Sequence, residues 1–164
     1  MTDRQGVLDL PTEAEAIAEA EFAVAPSDVP EPPEPLWRER LRPVAAISAG
    51  AVVGGCARYA VGLWAAASWG AGFPWGTLAV NLAGSFVIGF YLTLVTERFV
   101  GSSTTRLFLA TGVLGALTTF STFSYDIVHL TQQGQPLTAA AYAAASLVGG
   151  LAAVLLGIVA AHAL

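Results

Sequence analysis

Four long apolar stretches, Val44–Trp69, Trp75–Thr96, Leu107–Leu130 and Leu137–Ala161, fill nearly all of the chain after Pro43. At about 1.5 Å of rise per residue, each is long enough as a helix to cross a hydrocarbon layer of roughly 30 Å. Inside a bilayer every backbone N–H and C=O must find a partner within the protein, which leaves helices or a closed barrel. A barrel strand alternates polar and apolar residues, and these stretches do not. The expected fold class is therefore an all-α membrane protein with four transmembrane helices. Trp69, Phe73 and Trp75, around the first loop, read as an interfacial aromatic belt.

Composition agrees: 55% of the 164 residues are hydrophobic and only 12% charged, against roughly one quarter charged in a soluble domain. The charge is also segregated. Residues 1–42 hold ten of the twelve acids and four of the seven arginines, and the first 43 residues hold seven of the nine prolines. The chain divides into a disordered, acidic, Pro-rich extension (1–42) and a four-helix transmembrane domain (43–164). The acidity belongs to the extension, and the apolar part has no basic face for nucleic acid. The N-terminus is acidic and the first apolar run starts only at Pro43, so no secretory signal is expected. Cys56 is the single cysteine and forms no disulfide within the chain.

Arginine placement sets an orientation. Arg38, Arg40 and Arg42 precede the first helix and Arg98 and Arg106 flank the second loop, all on one side of a four-helix protein. The loops at 70–74 and 132–136 have none, so both termini are expected in the cytoplasm of a multi-pass cell-membrane protein.

Polar groups at membrane depth are costly and mark either helix packing or function. In the second helix Thr77, Asn81 and Ser85 recur every four residues as one stripe beside Gly84. The Asn81 carboxamide must be hydrogen-bonded in lipid, as glue between helices or as a donor to a passing anion. In the third, every residue from Thr118 to Ser124 except Phe120 and Phe123 has a hydroxyl, so Thr119 and Ser121 join the candidates. With Gly112 and Gly115 ahead of it, this run predicts a helix interrupted at mid-membrane whose freed carbonyls need protein, water or a cation. Phe120 and Phe123 share a face, packed plainly or offering positive ring edges to an anion. In the fourth, Tyr142 and Ser146 share a face. Ala46, Gly50 and Gly54 give the first helix a close-packing surface ahead of Arg58, which either pairs with Asp126 or draws anions to a vestibule.

No His, Cys, Asp or Glu grouping has metal-ligand spacing, and no serine sits in a nucleophile motif matched by a histidine, so no enzyme is expected. A proton-coupled exporter of this size needs a mid-membrane carboxylate, and Asp126 lies too near a helix end.

Three segments, Gly54-Gly55-Cys56-Ala57-Arg58-Tyr59, Thr77 to Gly84 (TLAVNLAG) and Thr111 to Ser124 (TGVLGALTTFSTFS), resemble in order and spacing the signatures of the Fluc (CrcB-type) fluoride channels. The resemblance covers Pro43 to Leu164. Gly55 and Ala116 depart from it, small residue for small residue, and the extension lies outside it. It implies an antiparallel dimer of four-helix subunits with narrow fluoride pores and a structural sodium ion at the dimer centre. Asn81, Thr119, Ser121, Phe120, Phe123, Tyr142 and Ser146 would line the pore. The carbonyls of Gly115 and Thr118 would hold the sodium. The one-sided arginines oppose insertion in both orientations, which favours pairing with a second homologous subunit over pairing with itself. Two alternatives stay open: a non-conducting scaffold or regulatory subunit, and a fluoride/proton antiporter.

Overall fold

The computed structural model describes residues 36–98 and 101–164, and the expected disorder of the extension falls mostly outside them. Helix α1 (Leu36–Trp69) is followed by α2 (Trp75–Arg98). The third segment starts as a short turn, α3 (Ser103–Arg106), and widens into a π-helical stretch over Leu107–Leu114. It tightens again as α4 (Gly115–Leu117), breaks, and resumes as α5 (Phe120–Gln132). Helix α6 (Pro136–His162) closes the chain. Among the described residues there is no strand, and four helical spans are long and apolar enough to cross a membrane.

The boundaries have local causes. Ser102 caps α3, its Oγ accepting from the Thr105 N–H at 3.2 Å. Helix α5 ends where Gly134 takes φ +77°, a left-handed conformation that costs glycine nothing. The N–H of Gln135 then returns to the Leu130 carbonyl at 2.9 Å. Pro136 opens α6, where a missing N–H is not needed. Helix α1 starts seven residues ahead of the expected boundary at Pro43, which it carries inside the helix. A proline there removes one N–H from the ladder without ending it.

Two helix pairs build the bundle. Helix α1 lies against the π-helical stretch through small residues: a Cβ on Gly50 would come within 2.9 Å of Gly112 Cα, and one on Gly54 within 2.9 Å of the Val113 carbonyl carbon. Helices α2 and α6 run parallel, and a Cβ on Gly157 would stand 2.8 Å from the Phe90 nitrogen. Without a hydrophobic drive between helices in lipid, such close backbone approach supplies the van der Waals contact that holds them. At the far end of the α2–α6 pair, His162 Nε2 and Glu97 Oε1 meet at 2.9 Å.

A core of Phe123, Leu130, Ala139 and Tyr142 joins α5 to α6, with Phe73 and Leu78 packed on it. Beside it stands the aromatic cluster read from the sequence: Trp69 and Trp75 have ring centroids 5.8 Å apart, and Phe73 and Trp75 4.5 Å. Large apolar side chains, including Leu147, Leu151 and Leu155 on α6 and Val52 and Leu63 on α1, face outward, as lipid or a partner requires.

Candidate functional site

The third segment breaks at two residues. Thr118 (φ −81°, ψ 155°) and Thr119 (φ −154°, ψ 119°) are both extended. Asn81 holds the gap open: its Oδ1 accepts the Thr119 N–H at 2.8 Å, and its Nδ2 donates to the Thr119 carbonyl at 3.1 Å. In an unbroken helix the Thr119 N–H would bond the Gly115 carbonyl four residues back. Asn81 therefore substitutes for one turn of backbone. Of its two amide hydrogens, one is used on Thr119 and one is left.

Thr119 also starts the next helix. Its Oγ1 accepts the Thr122 N–H at 3.2 Å, a Thr N-cap, and lies 3.2 Å from the Ser121 hydroxyl. That cap diverts the N–H that would have returned to the Thr118 carbonyl. The Leu114 carbonyl, in contrast, takes both the Thr118 N–H at 3.1 Å and the Thr118 Oγ1 at 2.9 Å. The carbonyls of Gly115 and Thr118 are thus among those released from their helical partners at the break. Among the described residues no three His, Cys, Asp or Glu side chains gather to hold a metal. Released carbonyl oxygens at a helix C-terminus do suit a hard monovalent cation such as sodium.

The break opens onto a cavity of about 300 Å³ lined by Asn81, Ser85, Gly115, Thr118, Thr119, Phe120, Phe123 and Ser146 among others. Gly84 admits the Thr118 side chain, whose methyl fills the space a Cβ would occupy. Phe120 and Phe123 stand at 5.5 Å and 45° to each other. They differ in setting, since Phe123 is buried while Phe120 is 75% exposed. The Ser146 hydroxyl is buried and completes no well-aligned hydrogen bond, with the Tyr142 hydroxyl close by. The cavity wall thus carries amide and hydroxyl groups, two phenylalanine rings and aliphatic side chains such as Ile88 and Leu147, but no full charge.

Tyr142 lies next to this cavity rather than in its wall. It is fully buried, its ring 5.5 Å from those of Phe73 and Phe123, and its hydroxyl donates to Asp126 Oδ2 at 3.1 Å. Asp126, with Thr77 and His129, lines a second hollow of about 240 Å³ beneath the first loop. The expected pairing of Arg58 with Asp126 does not form. Arg58 sits on α1 and Asp126 on α5, and both helices border that hollow, through Gly62 and Ala66 and through Asp126 and His129, without the two charges meeting.

Sequence reasoning did not anticipate the π-helical stretch, whose Leu114 ends at the cavity. Gly112 within it was the only signal. The Thr119–Thr122 cap was readable, since a Thr three residues ahead of a backbone N–H at a helix start is an N-cap pattern.

Four apolar spans, one of them broken and bridged by a side chain from its neighbour beside a hollow that mixes hydroxyl, amide and apolar groups, define a multi-pass membrane protein with a candidate site among its helices. The family model described as "CrcB-like protein, Camphor Resistance (CrcB)" matches residues 45–158, and the chain belongs to that family. It is 49% identical over 115 residues to the fluoride-specific ion channel FluC of Agrobacterium fabrum, covering 70% of this chain and 92% of that protein. Over 119 residues it is 48% identical to FluC of Bordetella petrii, covering 73% and 91%. With FluC of a Roseiflexus species the identity is 46% over 114 residues, covering 70% and 92%.

Proposed function

We propose that this chain is a subunit of a fluoride-selective channel, through which fluoride leaves the cytoplasm passively, down its electrochemical gradient. The observation that carries this reading is the cavity at the helix break, where hydrogen-bond donors and phenylalanines meet without a charge. Its relatives' identity as fluoride-specific ion channels supports it.

Fluoride is small and strongly hydrated, so a path through the membrane must replace its water with donors. The free Asn81 N–H and the buried Ser146 hydroxyl are two such donors, and Thr119 and Ser121 add hydroxyls. Phe120 and Phe123 offer ring edges, which carry the positive end of the aromatic quadrupole. A full positive charge at the same place would bind the ion too tightly for fast exit, and none is there. Tyr142 stands behind the wall, its hydroxyl donating to Asp126 and its ring packed beside Phe123.

Thr118 and Thr119 are residues 16 and 17 of the 30-residue span Ser103–Gln132, which favours a break at mid-membrane. The exposure of Phe120 beside the cavity calls for a second subunit to complete the wall. In our reading that partner is antiparallel, and the one-sided arginines favour a second homologous chain over a copy of this one, with both termini of this subunit in the cytoplasm. The Gly115 and Thr118 carbonyls, with their counterparts from the partner, would hold a structural sodium ion that supplies positive charge between the two broken helices.

Growth under fluoride tests the reading. Cells stripped of their own fluoride export should regain fluoride tolerance when they express this chain, with a homologous second chain if one is required, and should not regain it with Asn81→Asp. Tolerance unaffected by the wild-type chain and partner would leave a scaffold role in its place.

A further inference from the structure

The hollow beneath the first loop differs in chemistry from the cavity at the break. Its wall includes Phe73 from the loop, Trp75 and Thr77 at the start of α2, and Asp126, His129 and Gln133 on α5, around about 240 Å³. Asp126 is the only carboxylate in this wall, and no arginine stands in it; Arg58, one helical turn ahead of Gly62, lies outside. The chain has no lysine at all. The hollow is therefore negative, and a cleft of one sign concentrates ions of the other.

The carboxylate is only half engaged. Its Oδ2 accepts the Tyr142 hydroxyl at 3.1 Å, and Oδ1 has no hydrogen-bond or ion-pair partner among the described residues. His129, the other titratable group in the wall, is already occupied: its Nε2 lies 2.9 Å from Gln133 Nε2, and its ring stacks on Tyr125 at 5.8 Å. Next to Asp126 the wall is aromatic. Phe73 and Trp75 pack at 4.5 Å and 48°, yet Trp75 is still 41% exposed, which leaves ring surface uncovered. A hydrated metal ion gains little from such rings. An ammonium group on a carbon skeleton gains twice, because the ring quadrupole attracts its charge and the carboxylate accepts its hydrogen bonds. The depth suits such a ligand, since the packed pair Trp69 and Trp75 places the hollow at the headgroup level.

We propose that this hollow binds an organic ammonium group, with Asp126 as its counter-ion and Phe73 and Trp75 as its aromatic wall. The nitrogen sits against Asp126 Oδ1 and its carbon substituents against the rings. The bond from Tyr142 stays intact, since it uses the other carboxylate oxygen. An ethanolamine lipid headgroup and a soluble amine offer the same chemistry. This inference does not depend on which ion the protein conducts.

The test is a titration of the purified full chain, in an uncharged maltoside detergent, with ethanolammonium chloride while tryptophan fluorescence is read. The change should saturate, and sodium chloride at the same ionic strength should not produce it. Asp126→Asn should weaken the apparent affinity about tenfold. Phe73→Leu, which keeps Trp75 as reporter, should weaken it about threefold. Competition by added phosphatidylethanolamine, but not by phosphatidylglycerol, would identify a lipid headgroup as the natural ligand; undiminished binding of the soluble probe would identify a free amine. A change that never saturates, one that sodium chloride reproduces, or an Asp126→Asn titration equal to wild type would overturn the proposal. The comparison of the two salts uses only the wild-type chain and so decides the matter even if Asp126→Asn does not fold.

Discussion

Replacing Asn81 with Ala removes both hydrogen bonds that hold the third segment open, the 2.8 Å bond from the Thr119 N–H and the 3.1 Å bond to the Thr119 carbonyl. Thr119 is only 8% exposed, and orphaning a buried backbone group costs about 1–3 kcal/mol. The adjoining cavity admits water, so the lower figure applies to each group and the sum is about 2 kcal/mol. Part of this is recovered if the Thr119 N–H swings back to the Gly115 carbonyl, but that closes the break and withdraws a released carbonyl. Asn81→Ala should therefore lower the thermal midpoint of the purified protein by on the order of 5 °C and abolish fluoride efflux from liposomes. Asn81→Asp keeps the acceptor for the Thr119 N–H but sets a carboxylate oxygen against the Thr119 carbonyl, so it should cost at least as much stability. Its negative charge should still block fluoride. Fluoride efflux at the wild-type rate from Asn81→Ala would refute both the clamp and the pore assignment.

Gly54→Ala places a methyl 2.9 Å from the Val113 carbonyl carbon and 3.0 Å from the Leu117 nitrogen; backbone cannot yield as a side chain does, and a loss of about 1–3 kcal/mol should show in thermal melts. Gly55→Ala, with nothing within 4 Å, should be neutral in the same melts. Phe123→Ala empties a core position and should cost about 3–5 kcal/mol, whereas Phe120→Ala, at an exposed ring, should leave the subunit's stability within about 0.5 kcal/mol and still lose fluoride efflux. Tyr142→Phe keeps the ring contacts and removes the donor to Asp126, so it should cost about 1–3 kcal/mol by chemical unfolding. Asp126→Asn, which retains an acceptor for the Tyr142 hydroxyl, should cost less.

The spans were legible because lipid imposes one rule on every residue of a crossing helix. The observed limits Trp75 and Trp69 coincide with the ends of the apolar runs. The start of α1 was not legible, since the charged residues that open it, Arg40 and Arg42 among them, carry no apolar run from which a helix can be read. At the candidate site, the interruption followed from the hydroxyl run after Gly112 and Gly115, and Asn81 from the rarity of a carboxamide in such a helix. What that carboxamide bonds could not be read, because it reaches a backbone 38 residues away. Of the two roles open to Arg58, the pairing with Asp126 is not the contact made: depth along two helices does not say which way their side chains point, and Asp126 takes the Tyr142 hydroxyl. The π-helical stretch has no periodic signature in eight residues and follows from backbone contact with α1.

If the cavity at the broken segment is the conducting path, fluoride should pass through this protein and larger halides should not. Liposomes loaded with both fluoride and chloride, reconstituted with this chain or with it and a homologous second chain, test it most directly when ion-selective electrodes follow the efflux after a potassium ionophore is added. Fluoride should leave rapidly, in an electrically coupled burst, with chloride retained. Chloride leaving together with fluoride, or no fluoride leaving from correctly folded protein with its partner present, would contradict it.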